Sequence, residues 1–190
     1  MKNKTILIVA AHPDDEVLGC FGTVARLIQE GYVAYTLILG EGKTSREKYR
    51  DTSKHSEEFK VLNKEIIEAN QTIGIKKTFI YDFPDNRFDS VDLLDIVKVI
   101  DTMKQKINPN IIFTHYENDL NIDHKITYQA VITATRPMEN ESVKEIYSFE
   151  ILSSTEWQYP ISFSPDVFFD IKDTIELKLS AMKCYKSELC

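Results

Sequence analysis

The chain has 190 residues, 43% of them hydrophobic, which suits one domain, residues 1–190, with a sizeable core. Its net charge is −7 and no basic run exceeds two residues, which argues against nucleic acid and anionic membrane surfaces as main partners. No apolar run suits a membrane span or a signal segment. Cys20, Cys184 and Cys190 form no C-x-x-C pair, so a disulfide framework and a thiolate zinc site are not indicated and a reducing cytoplasm is the expected location.

In chain order, the apolar and β-branched run Thr5–Val9 predicts a buried parallel strand over about residues 4–10. Pro13 cannot continue a central strand. The run Ala10-Ala11-His12-Pro13-Asp14-Asp15-Glu16 therefore places an imidazole and three carboxylates beyond a strand's carboxyl end, where open α/β sheets bind ligands. Gly19 and Gly22 suggest tight turns or close packing against the sheet. They form no G-x-G-x-x-G, so a dinucleotide site is not supported. A helix is expected at roughly Thr23–Glu30, stopped by Gly31, and a second strand at Val33–Leu39.

Residues 40–56 read as a polar surface loop, or as a lid whose Arg46 or Arg50 could hold a substrate phosphate or hydroxyls. Phe59, Leu62, Ile66, Ala69 and Ile73 form one apolar helical stripe, ended by Gly74. A short third strand, Thr78–Tyr81, releases residues 82–89 at the same rim. There Asp85, Asn86 and Arg87 are candidate substrate contacts; a turn built by Pro84, Asp85 and Asn86 is the structural alternative, which leaves Arg87 unexplained.

Leu93, Val97, Ile100, Met103 and Ile107 predict another amphipathic helix, ended before Pro109. Ile111–Thr114 predicts a fourth strand, followed by the loop Asn118–His124. A helix over Ile126–Thr135 and a fifth strand over Ile146–Leu152 come next. Trp157 reads first as a core residue; its functional alternative is stacking on a substrate ring. The alternation of Val167, Phe169 and Ile171 suggests an added edge strand. A last helix is expected over about Asp173–Ser187, with Ile175, Leu179, Met182 and Tyr185 inward. Strands alternating with helices imply an α/β fold, a Rossmann-like three-layer sandwich with a mostly parallel sheet.

His12 and Asp15 offer nitrogen and oxygen ligands, and a parallel fourth strand would bring His124 to the same rim. Two imidazoles and one carboxylate suit catalytic zinc, which keeps a position open for water. Ligand type also allows iron, manganese or cobalt. Asp14 and Asp15 are adjacent, so one can bind metal while the other takes a proton from the activated water; the residues alone do not say which. Asp123 either orients an imidazole or caps a helix. Helix-start charge and a surface histidine are the structural alternatives for the acidic run and His124.

The run AHPDDEVLG followed by GTVARL, with DLNIDH, PDNRFD, TRP and SSTEW later, resembles the PIG-L/LmbE-like zinc N-deacetylases over nearly the whole chain. The resemblance implies His12, Asp15 and His124 as metal ligands and Asp14 as general base. It implies a zinc cofactor, an N-acetylated amino sugar or sugar conjugate as small-molecule substrate, and hydrolysis of its acetamide. Where many members carry an oxyanion-stabilising histidine, this chain has Asn121; either Asn121 does that work or His115 reaches in. Members usually continue past the position of Cys190, so C-terminal truncation is one expectation. A pocket completed by a neighbouring copy in a homo-oligomer is another. Hydrolysis of another amide or ester, or zinc binding without catalysis, are the alternative functions.

Overall fold

The computed structural model describes residues 4–188. Five strands form one parallel sheet: β1 (Thr5–Ala10), β2 (Val33–Gly40), β3 (Lys77–Phe83), β4 (Ile111–His115) and β5 (Glu145–Phe149), in the order β3-β2-β1-β4-β5. Residues Ile6–Ala10 of the central strand β1 have no exposed surface, because helices cover both faces of the sheet. Ile6, Ile8 and Ala10 point towards α1 (Asp15–Gln29), α2 (Ser56–Thr72) and α5 (Ile175–Met182). Leu7, Val9 and Ala11 point towards α3 (Leu93–Ile107) and α4 (Ile122–Ala134). This is the expected three-layer α/β sandwich. Among the described residues no helix is long and apolar enough to cross a membrane.

The order of connection reverses between β1 and β4. The chain leaves β1 for α1 on one face and leaves β4 for α4 on the other, so a crevice opens between them at the strands' carboxyl ends. Both helices begin earlier than the apolar pattern suggests. α1 starts at Asp15, with Asp15 and Glu16 in its first turn, where carboxylates favour the helix dipole. Gly19 lies inside it, and a Cβ there would clash with the Phe149 ring. This glycine serves close packing, not a turn. α4 starts at Ile122, capped by Asn121, whose Oδ1 accepts from the Asp123 N–H at 2.9 Å. Its first turn carries Asp123 and His124 where an apolar stripe would otherwise announce a helix.

The C-terminal third departs further from expectation. β5 stops at Phe149, because the chain turns at Ile151, whose N–H donates to the Thr155 hydroxyl at 2.8 Å. The added strand over 167–171 does not form; Phe169 packs instead on Phe113 and Tyr147. α5 spans only Ile175–Met182, and Leu179 is 45% exposed while Leu177, Ala181 and Tyr185 pack inward. Trp157 is 71% exposed, which corrects its reading as a core residue.

Candidate metal centre

Asp15 Oδ2 lies 3.5 Å from His12 Nδ1 and 3.3 Å from His124 Nε2. The donor atoms of His12, Asp15 and His124 all fall within 4.8 Å of one another. His124 Nε2 is buried and, although Asp15 approaches, makes no hydrogen bond of acceptable geometry. Three donors converging on a point, with one of them orphaned, fit a bound cation better than a hydrogen-bonded core.

The far nitrogen of each imidazole meets a buried carboxylate. His12 Nε2 bonds Asp123 Oδ2 at 2.9 Å, and His124 Nδ1 lies 3.2 Å from Asp119 Oδ2. Metal-ligating histidines characteristically present their other nitrogen to such a partner, which sets the tautomer and the ring orientation. Asp123 Oδ1 also accepts from the Phe88 N–H at 2.9 Å. Asp119 accepts from the Asn121 N–H at 2.8 Å, Ser154 Oγ at 3.0 Å and Thr155 Oγ1 at 2.5 Å. His12, Asp85 and Asp123 also bring donors within 4.8 Å. In that group both Asp123 oxygens already accept hydrogen bonds, so the group containing His124 is the better site.

The electrostatics agree. Burial alone would lower the His12 pKa, but the carboxylates of Asp123, Asp15 and Asp85 raise it to about 10. Burial would likewise lower His124, but Asp15 and Asp119 raise it to about 9. Against burial, the surrounding imidazoles hold Asp15 well below the usual carboxylate range. Without a metal, protons supply the positive charge that this cluster of acids demands. Asp119, hydrogen-bonded by His124 and Thr155, is held at about 2 despite burial.

Above the triad lies a cavity of 580 Å³. Asp14 lines it from the left-handed region, at φ 80°, a conformation that Asp tolerates better than most residues. Burial, then the neighbouring Asp15 and Glu16 carboxylates, push Asp14 up to about 8. Asn121 also lines the cavity, with Nδ2 donating to Asn86 Oδ1 at 2.9 Å. Asp85 lines it too, accepting from the Ser45 N–H at 3.3 Å and standing 3.4 Å from His12 Nε2.

Other expected residues lie elsewhere. His115 is wholly buried, stacks on His124 at 3.9 Å, and accepts the Ala11 N–H at Nε2 over 2.9 Å. Burial pushes its pKa well down, so it stays a neutral support beneath the site and does not reach into the cavity. Arg50 holds Glu41 at 3.1 Å and the Asp82 carbonyl at 2.7 Å; Arg87 donates to the Glu47 carbonyl at 3.0 Å. Neither lines the cavity, nor does Trp157. The side chain of Arg46 lies outside the described residues.

Residues 7–135 match the family model described as PIG-L: GlcNAc-PI de-N-acetylase. The chain belongs to this family. It is 31% identical over 192 residues to the Escherichia coli protein described as uncharacterized deacetylase YaiS, with 98% of this chain and 92% of that one covered. In structure it is similar to N,N'-diacetylchitobiose deacetylase from Pyrococcus horikoshii, with a TM-score of 0.76 at 21% identity over 100% of this chain and 72% of that one. It is also similar to GalB, the 4-carboxy-2-hydroxymuconate hydratase of Pseudomonas putida, with a TM-score of 0.74 at 22% identity over 97% and 80%. These two likenesses show the fold, and the two proteins are named for different reactions, so this PIG-L member's chemistry depends on its own site.

Sequence reasoning missed, among others lining or supporting the cavity, Asp119, Lys43, Ser187 and Glu188. Asp119 sits in the quoted DLNIDH run, but its partners Ser154 and Thr155 lie 35 and 36 residues away. Lys43, Ser187 and Glu188 line the cavity through contacts spanning more than 140 residues. No local pattern announces such pairings.

Proposed function

We propose that this PIG-L family chain is a zinc-dependent N-deacetylase that hydrolyses the acetamide of an N-acetylated amino sugar or sugar conjugate in the cytoplasm. One observation carries the proposal: His12, Asp15 and His124 converge at the switch point with the Nε2 of His124 orphaned. The family description and the deacetylase relative support the reaction class. Free Cys20 and Cys184 suit a reducing compartment.

His12, Asp15 and His124 would hold the zinc ion, which would supply Lewis acidity towards water and the acetamide carbonyl. The same donors accept other divalent transition metals. Asp123 and Asp119 hold the two imidazoles in the orientation that ligation needs. Asp14 takes a proton from the attacking water and returns it to the departing sugar amine. Asp14 lines the cavity beside the ligand Asp15, and a cation held there would favour the carboxylate form that accepts the proton. The cap bond commits Asn121 Oδ1 to the Asp123 N–H, which leaves Nδ2 facing Asn86 and the cavity. Nδ2 then donates to the oxyanion as charge develops on the acetyl oxygen.

The test is acetate release from N-acetylglucosamine glycosides by purified protein loaded with zinc. Asp14→Asn should retain metal and lose about a hundredfold to ten-thousandfold in kcat, the range of a general base. Wild-type turnover in that variant would remove Asp14 from the mechanism. Hydration of an unsaturated acid without acetate release would replace deacetylation altogether.

A further inference from the structure

Asp14 holds a backbone conformation, φ 80°, that a non-glycine residue keeps only when its surroundings impose it, and its side chain makes no cap bond. Its carbonyl accepts from the Val17 and Leu18 N–H groups, both at 2.9 Å, which ties it to the first turn of α1. Its N–H faces a distant part of the chain. Just beyond α5, Tyr185 has no exposed surface and donates its hydroxyl to Glu16 Oε1 at 2.5 Å, across 169 residues. The Asp14 N–H faces the same hydroxyl oxygen and opposes the rise in the Tyr185 pKa that burial and Glu16 cause. The hydroxyl keeps its proton, so it accepts from Asp14 while it donates to Glu16. Behind it, Glu16 Oε1 also accepts from Asn70 Nδ2 at 3.1 Å, and that amide donates to the Ile66 carbonyl at 2.9 Å. The segment carrying Tyr185 is fastened to α2 as well: the Ser187 hydroxyl donates to Glu65 Oε2 at 2.6 Å.

We propose that Tyr185, backed by Glu16 and Asn70, is a positioning residue for Asp14, its hydroxyl fixing the left-handed backbone that aims the Asp14 carboxyl into the cavity. The proposal rests on the reading of Asp14 as general base and says what holds that base in place. An aspartate side chain is too short to correct for a displaced backbone, and a misplacement of about 1 Å can cost about a hundredfold in rate. A staple that served stability alone would be better built from apolar side chains. Glu16 and Asn70 are 0% and 1% exposed, and Glu16 Oε2 and Asn70 Oδ1 are buried without a hydrogen-bond partner among the described residues. Such groups cost stability, and an apolar replacement of similar volume would avoid that cost. What the polar network adds is a fixed oxygen in front of the Asp14 N–H.

The test is Tyr185→Phe in the zinc-loaded protein, which keeps the ring and removes the hydroxyl. On an N-acetylglucosamine glycoside kcat should fall about tenfold to a hundredfold, with KM and zinc affinity each within about threefold of wild type. A residue that only supported the fold would lower stability and leave kcat of the folded protein alone. Because the effect passes through Asp14, adding Tyr185→Phe to Asp14→Asn should cost no more than about twofold beyond Asp14→Asn itself. An unchanged kcat in Tyr185→Phe, or full multiplication of the two losses, overturns the proposal. The parent reading fails separately, if no acetate is released or if Asp14→Asn turns over at the wild-type rate. The crystal structure of Tyr185→Phe then decides: Asp14 outside the left-handed region supports the positioning role, and Asp14 still near φ 80° with its carboxyl unmoved overturns it. Should Tyr185→Phe fail to fold, Glu16→Gln, which keeps the acceptor, should retain most of kcat, and Glu16→Met should lose about tenfold or more. Equal rates in those two variants overturn the proposal.

Discussion

Two segments leave the carboxyl edge of the same sheet and meet different fates. At the β1/β4 reversal, Asp15, His115, Asp119, Asp123 and His124 are all less than 5% exposed, and most of their polar atoms have partners. Beyond β5, at the sheet's edge, Ser154 and Thr155 turn inward onto Asp119, but Leu152, Trp157 and Tyr159 are 70%, 71% and 91% exposed, and residues 161–170 join no strand. Both segments follow a parallel strand. Only the first sits where the chain departs to opposite faces of the sheet and leaves a crevice lined from both sides. Place in the strand order decides which loop becomes a site; polarity alone does not.

The comparison can be broken where the reversal is most tightly built. Asp119→Asn should weaken zinc affinity about tenfold to a hundredfold, as loss of an imidazole's carboxylate partner does. Competition with a chelator measures this, and an unchanged affinity would detach Asp119 from the site. Gly19→Ala, where α1 meets the end of β5, should cost about 1–3 kcal/mol by overpacking against Phe149, read from denaturant unfolding.

A smaller effect is expected away from both rims. Lys104 bonds Glu141 at 2.6 Å, tying the end of α3 to the connector after α4, and holds the Glu141 carboxyl below its usual value although burial opposes. A depressed carboxyl stabilises the fold above the unfolded glutamate pKa of about 4.3 and loses that contribution as pH falls through the folded value. Glu141→Gln should therefore lower stability by about 1 kcal/mol or less at neutral pH, with the difference from wild type shrinking in acid. Smallest of all, Trp157→Ala on the exposed rim should change stability by no more than about 0.5 kcal/mol. Its KM for a sugar substrate tells whether the indole contributes to binding.

What could be read in advance follows from how each residue is held. β1 and β4 are buried on both faces, so their sequences are continuous apolar runs, and the ligand types clustered after them mark the site. The starts of α1 and α4 escaped because Asp15, Asp123 and His124 occupy the first-turn positions where an apolar stripe would otherwise begin. The missing edge strand and the outward Trp157 arose from alternation and composition, which carry no information about partners. The hold of Asp119 by Ser154 and Thr155, and the Lys43–Glu188 pair, depend on contacts that only the folded chain creates.

The most direct measurement is zinc-edge X-ray absorption of the purified, metal-loaded protein, with metal content determined in parallel. One zinc per chain with two imidazole nitrogens and oxygen donors at about 2.0–2.2 Å is the predicted result, reduced to one imidazole in His124→Ala. A stoichiometry near zero, or a shell that His124→Ala leaves unchanged, would contradict the site.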